Sequence, residues 1–161
     1  MGAEELSALL WKERELLELL IFKLEEEQLI LTSGKTRWLQ HATREVEQVL
    51  ERLRAAGLAR TVEVGSVAAE WGTPEEATLR QLAGDAPPGP WSSIFAAHLK
   101  AMTESTTKIR ELRETNEQYL RAASRSTQET LATLESDAGT YGSRGTSNAA
   151  SDAWHMLDKD L

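Results

Sequence analysis

The sequence predicts an all-α fold: an elongated antiparallel bundle, or coiled coil, of three long helices followed by a flexible C-terminal tail. Two observations carry this expectation. The windows 3–33, 35–56 and 91–138 contain neither Pro nor Gly, the two residues that helix interiors exclude. Each window also places apolar residues in steps of three and four, the spacing that lines one face of a helix. No run alternates apolar and polar residues as a half-buried strand does, and no repeat of solenoid period is present. The helical domain is expected over residues 1–136 and the tail over 137–161.

In the first window the stripe is Leu6, Leu10, Leu17, Leu20, Leu24 and Leu31, with Glu13 and Glu27 at the intervening heptad positions. Leu9 and Leu16 widen it. Ser33-Gly34 supplies a stop, because Gly takes the left-handed conformation that closes a helix, and Thr36 is placed to cap the next one. The second window repeats the rhythm with Leu39, Ala42, Val46, Val49 and Leu53 and is expected to end at Gly57. A short connection between two such helices makes an antiparallel hairpin.

Residues 58–90 read as an irregular connection holding one short helix. Thr73-Pro74-Glu75-Glu76 has the form of a start, with Thr73 as cap, Pro74 at the first helical position and Glu76 completing a capping box. Gly84 and Pro87-Pro88-Gly89 end it. Pro90-Trp91 then opens the longest window, with the stripe Phe95, Leu99, Met102, Thr106, Ile109, Leu112, Asn116, Leu120, Ala123, Thr127, Leu131 and Leu134. At about 1.5 Å per residue the first helix is about 45 Å long and the third nearly 70 Å, so about a third of the latter is expected to project beyond its neighbours. Past Ser136 the Gly, Ser, Thr and Asp content is that of a flexible tail.

Composition narrows the function. The 161 residues hold 18 Lys and Arg against 26 Asp and Glu, a net charge of −8, whereas a phosphate backbone is bound through cations; nucleic acid is not an expected partner. There is no Cys, which removes disulfides and thiol chemistry and fits a reducing cytoplasm. Met1-Gly2-Ala3-Glu4-Glu5-Leu6 is acidic where a secretory signal is basic, and Leu6 stands where myristoylation requires Ser or Thr. The apolar-rich stretch Leu16 to Leu31 is broken by Glu18, Lys23 and Glu25-Glu26-Glu27, so no membrane insertion is expected.

Catalytic and metal-binding patterns are not found. His41, His98 and His155 stand apart, without a second ligand at helical spacing, and each is expected to be exposed or partly buried. Ser33-Gly34-Lys35-Thr36 ends like a phosphate-binding loop, but Leu29 stands where its first Gly belongs, and a helix precedes it where that loop follows a strand. Adjacent carboxylates in Glu25-Glu26-Glu27 point about 100° apart on a helix and do not converge. Neither an enzyme activity nor a cofactor is therefore expected. Glu13 and Glu27, near the seam, are placed to pair with an Arg of a neighbouring helix. Asn116 interrupts the third seam, where a buried amide fixes register at a cost in stability.

What remains is protein binding. The third stripe from Leu112 onward, comprising Leu112, Asn116, Leu120, Ala123, Thr127, Leu131 and Leu134, is the candidate surface for a partner's helix. In Gly139-Thr140-Tyr141-Gly142-Ser143-Arg144-Gly145 a large aromatic stands in a segment expected to be mobile, as in short motifs that anchor to a pocket.

These residues together resemble the FlgN family of flagellar export chaperones. The likeness rests on Leu16-Leu17, on Leu24-Glu25-Glu26-Glu27-Gln28 and the turn at Ser33-Gly34, and on the run Ile109-Arg110-Glu111-Leu112-Arg113-Glu114-Thr115-Asn116 with Leu120 after it. Most specific is Thr140-Tyr141-Gly142 followed by Gly145. It covers roughly residues 5–57 and 91–148; the Pro- and Gly-rich stretch 58–90 departs from it, and Ala149 to Leu161 reads as an extension. The resemblance implies a cytoplasmic, ATP-independent chaperone. Such a protein holds the hook-associated proteins of the hook–filament junction, prevents premature assembly of their helical ends and delivers them to the cytoplasmic domain of the export gate. It also implies that Tyr141, with Gly142 and Gly145, docks at that gate. Competing readings are a generic antiparallel coiled-coil scaffold and, from Trp71-Gly72, a small secreted helical hairpin. Monomer and homodimer are both left open.

Overall fold

The computed structural model describes residues 2–136 together with Trp154, His155 and Leu157. Four α-helices are present among them: α1 (Gly2–Ser33), α2 (Leu39–Trp71), the short α3 (Leu79–Gly84) and α4 (Trp91–Glu135). No strand occurs among the described residues, so the all-α expectation holds.

The seam of α1 follows the predicted one: Leu6, Leu10, Glu13, Leu17, Leu20, Leu24 and Glu27 are all buried, whereas Leu31, the last of the stripe, is half-buried. The helix stops at Ser33, where Gly34 turns the chain at φ 72°. Thr36 does not cap the next helix. It opens a single 3-10 turn, Thr36–Trp38, that leads directly into α2.

The expected end of the second helix at Gly57 is corrected by the structure: α2 runs on to Trp71, so residues 58–71 are helical and not irregular connection. Gly57 and Arg60 occupy successive seam positions and are both buried, and Val64, Val67 and Ala68 continue the stripe. A Gly and a charged residue in the seam hide the apolar period, while the packing around them keeps the helix intact. Its real end is Gly72, left-handed at φ 69°, whose N–H bonds the carbonyls of Ala68 and Ala69.

The start expected at Thr73 also moves. Pro74 makes a turn closed by the Ala77 N–H (2.9 Å), and the capping box forms at Thr78. The Gln81 N–H donates to Thr78 Oγ1 (3.3 Å) and the Thr78 N–H to Gln81 Oε1 (2.9 Å). This shift sets Leu79, Leu82 and Ala83 into the core and lays α3 on α4. Ser92 Oγ, in the first turn of α4, donates to the Ala83 carbonyl (2.8 Å). Phe95, fully buried, lies between Trp71 and Trp91, with ring centroids 5.9 and 5.5 Å away.

Side-chain pairs give the directions of the helices. Glu13 meets Arg60, Lys23 meets Glu45 and Glu27 meets Thr43, so α2 runs antiparallel to α1. His98 meets Ser7 and Arg14, and Asn116 meets Leu24 and Glu27, so α4 runs parallel to α1. The result is an up-down-up bundle in which α1 packs along both long partners, while α2 and α4 meet where Trp71 packs on Phe95.

Candidate partner-binding surface

The pairing of α4 with α1 fixes where α4 leaves the bundle. Between His98 and Asn116 the two helices advance in step, so the level of Ser33 is reached near Ala123. About a dozen residues, roughly 18 Å of helix at 1.5 Å per residue, run past the turn at Gly34. The overhang is between a quarter and a third of α4, because α1, at 32 residues, is slightly longer than expected and α4 spans 45.

Along α4 the predicted stripe divides in two. Leu112 and Asn116 lie inside the bundle, 6 % and 2 % exposed. Leu120 and Ala123 are half-buried at its margin, and Thr127 is exposed. Leu131 and Leu134 stand at 49 % and 62 % exposure. Steps of three and four keep all of them on the face that is buried lower down, so the core seam continues as an open apolar strip. Tyr141, Gly142 and Gly145, expected to dock at the export gate, lie outside the described residues, as does the expected tail apart from Trp154, His155 and Leu157. Trp154 and Leu157 are helical, half-buried and packed against the core.

Asn116 marks the boundary. Its Nδ2 donates to the Leu24 carbonyl (2.9 Å) and to Glu27 Oε1 (3.0 Å), while Thr43 Oγ1 donates to Glu27 Oε2 (3.1 Å). One polar layer thus joins α4, α1 and α2. Burial pushes the Glu27 carboxyl above its ordinary range, and the bonds from Thr43 and Asn116 pull it back. Asn116 Oδ1 is buried with no hydrogen-bond partner, a cost that an apolar residue would avoid. A polar group of this kind penalises any slipped register.

Two further polar contacts hold the bundle. Arg60 Nε donates to Glu13 Oε2 at 2.8 Å with both side chains buried, the Arg pairing expected for Glu13; Glu27 takes an amide and a hydroxyl instead. His98 is only 2 % exposed, against the expectation of a more open site. A guanidinium can only donate, so Arg14 Nη1 donates to His98 Nδ1 (3.3 Å) and Nε2–H donates to Ser7 Oγ (3.2 Å). Burial first, and the Arg14 charge second, push its pKa down. Trp11 stands edge-on to the imidazole at 5.0 Å, under Arg14 at 4.2 Å. This cluster was not legible in advance: the partner residues lie 84 and 91 positions away in the chain.

No group of three or more metal-ligating side chains that could hold an ion occurs among the described residues, nor any helix long and apolar enough to cross a membrane. A groove of about 510 Å³ between α1 and α4 is lined by Glu15, Glu18 and Glu104 together with Arg14 and Lys108. Its mixed charges are spread along two helices rather than converging on one point.

The α4 seam thus continues past the buried amide as an exposed apolar strip ending at Leu131 and Leu134. A family model described as FlgN protein matches residues 1–149. The chain belongs to the FlgN family. It is accordingly a flagellar export chaperone, and the family is one of chaperones. No curated protein and no solved structure matches the chain. The FlgN match runs through residues 58–90, the stretch that departed from the resemblance, and ends before Trp154.

Proposed function

We propose that this FlgN-family protein works in the cytoplasm, where it binds hook-associated proteins of the hook–filament junction, prevents their premature assembly and delivers them to the cytoplasmic domain of the export gate. Residues 1–136 are the chaperone domain in this reading and 137–161 an appended tail. The observation that carries it is the continuation of the α4 core seam into the open strip ending at Leu131 and Leu134. A client's amphipathic helix laid on that strip would have the apolar face it uses for assembly covered. Leu112 and Asn116 serve the site indirectly, by anchoring α4 so that Leu120, Ala123, Thr127, Leu131 and Leu134 are presented. Tyr141, flanked by Gly142 and Gly145, is assigned to the export gate.

The test is co-purification with the hook-associated proteins of the same organism. Leu131→Glu/Leu134→Glu alters only exposed side chains of the overhang, so the bundle should stay folded while client binding is lost. A double variant that retains wild-type affinity removes the strip from the proposal. Tyr141→Ala should leave client affinity unchanged and weaken binding to the gate. Absence of any hook-associated client would leave the coiled-coil scaffold as the better reading.

A further inference from the structure

The overhang is not the whole of the apolar chemistry around α4. Trp154 and Leu157 are three residues apart, which puts both on one face of a helical turn. Both are half-buried against the core, while His155 between them is exposed. The guanidinium carbon of Arg113 lies 5.0 Å from the Trp154 ring centroid, within reach of a cation–π contact. Arg113 stands beside Leu112 and less than one turn before Asn116, so this seat lies level with the polar layer, about 15 Å below the point near Ala123 where α4 passes the end of α1.

The chain has the length to reach it. From Arg113 to Ser136 the helix climbs about 35 Å, and the steps from Ser136 to Trp154 span up to about 60 Å when extended. The seated turn has the chemistry of the client helix considered above, with an aromatic and a Leu on one face packed against the core and the aromatic at Arg113 of α4. A client helix of about six turns, laid from Leu134 down to the level of Arg113, would meet the seated turn. Trp154 and Leu157 also lie beyond residues 1–149, the extent of the FlgN match.

We propose that Trp154 and Leu157 form an intramolecular latch, seated on the α4 flank at Arg113, that a client helix must displace. This rests on the reading that clients pack along α4. Two half-buried side chains make a small contact, but the tether keeps their local concentration high, so the latch is populated and yet gives way to a larger apolar face.

The absence of Cys allows paired spin labels in the full chain at His155→Cys and Glu114→Cys, both exposed positions. The label distances should form one narrow distribution that broadens on Trp154→Ala/Leu157→Ala and on adding a purified hook-associated protein of the same organism. Without labels, the same double variant should bind that client about five- to tenfold more tightly, the factor expected when the competent state is a minor population. Circular dichroism should show the bundle unchanged. A broad distribution in the parent chain overturns the latch, and equal client affinities overturn its competition with the client. If neither form binds the client but the distances are narrow in the parent chain and broaden on Trp154→Ala/Leu157→Ala, the latch stands and the proposed client is wrong.

Discussion

Asn116 of α4 donates through its Nδ2 to Glu27 of α1 at 3.0 Å, and this bond sets the level at which α4 leaves the bundle. Replacing Asn116 by Ala strips Glu27 Oε1 of its donor inside the core. The expected loss is about 1–3 kcal/mol, the cost of a buried polar group left unpaired, read as a lower urea midpoint. Asn116→Leu with Glu27→Leu removes both partners and should recover much of that stability while loosening register. A double variant as unstable as Asn116→Ala would show that the layer contributes more than register.

The buried pair Glu13–Arg60 should be asymmetric under mutation. Arg60→Ala leaves a carboxylate without its close cation and is expected to cost about 3–5 kcal/mol, whereas Glu13→Leu/Arg60→Met should cost much less. Chemical denaturation of the single and double variants gives the comparison.

Gly57 lies in the interior of α2, and a Cβ there would meet only Arg60 Nη2 at 3.9 Å, an ordinary contact. Gly57→Ala should therefore raise stability by about 0.5–1 kcal/mol. Gly72→Ala should lower it by about 1–2 kcal/mol, since φ 69° is strained for any residue with a side chain. Thermal melts of the two variants should move in opposite directions.

Acid should act through two buried groups with opposite sign. His98 has a pKa below its ordinary 6.5, so the unfolded chain binds its proton first. Its contribution is complete above about 6.5 and is lost as pH falls from there toward the lowered value. Glu27 has a pKa above its ordinary 4.5; the stability linked to its protonation is complete below about 4.5 and is lost as pH rises through the raised value. His98→Gln should flatten the decline below pH 6.5, and Glu27→Gln should make the decline toward pH 4.5 steeper. Urea midpoints across this range test both.

Much of the helical plan was legible because local patterns carry it. The α1 seam was readable through Glu13 and Glu27 because heptad spacing persists when a polar residue takes one position. The third helix was expected over about 91–136 and spans Trp91–Glu135, its start marked by Pro90. At Gly57 and Thr73 local rules misled: a seam position held by Gly reads as a stop, and Thr73-Pro74 as a start, when burial of Val64, Val67 and Leu79 decides otherwise. The candidate strip was visible as a continuous stripe; where burial ends along it was not.

The sequence by itself determined an all-helical chain, its seams and the Asn that breaks one of them, because periodicity, Gly and Pro act over a few residues. Only the tertiary structure decided that α4 lies level with α1, that Glu13 meets Arg60 and His98 meets Arg14, and that Trp154 returns to Arg113. Those contacts join residues tens of positions apart, and the energy of excluding water from a shared interface is not written in any local pattern.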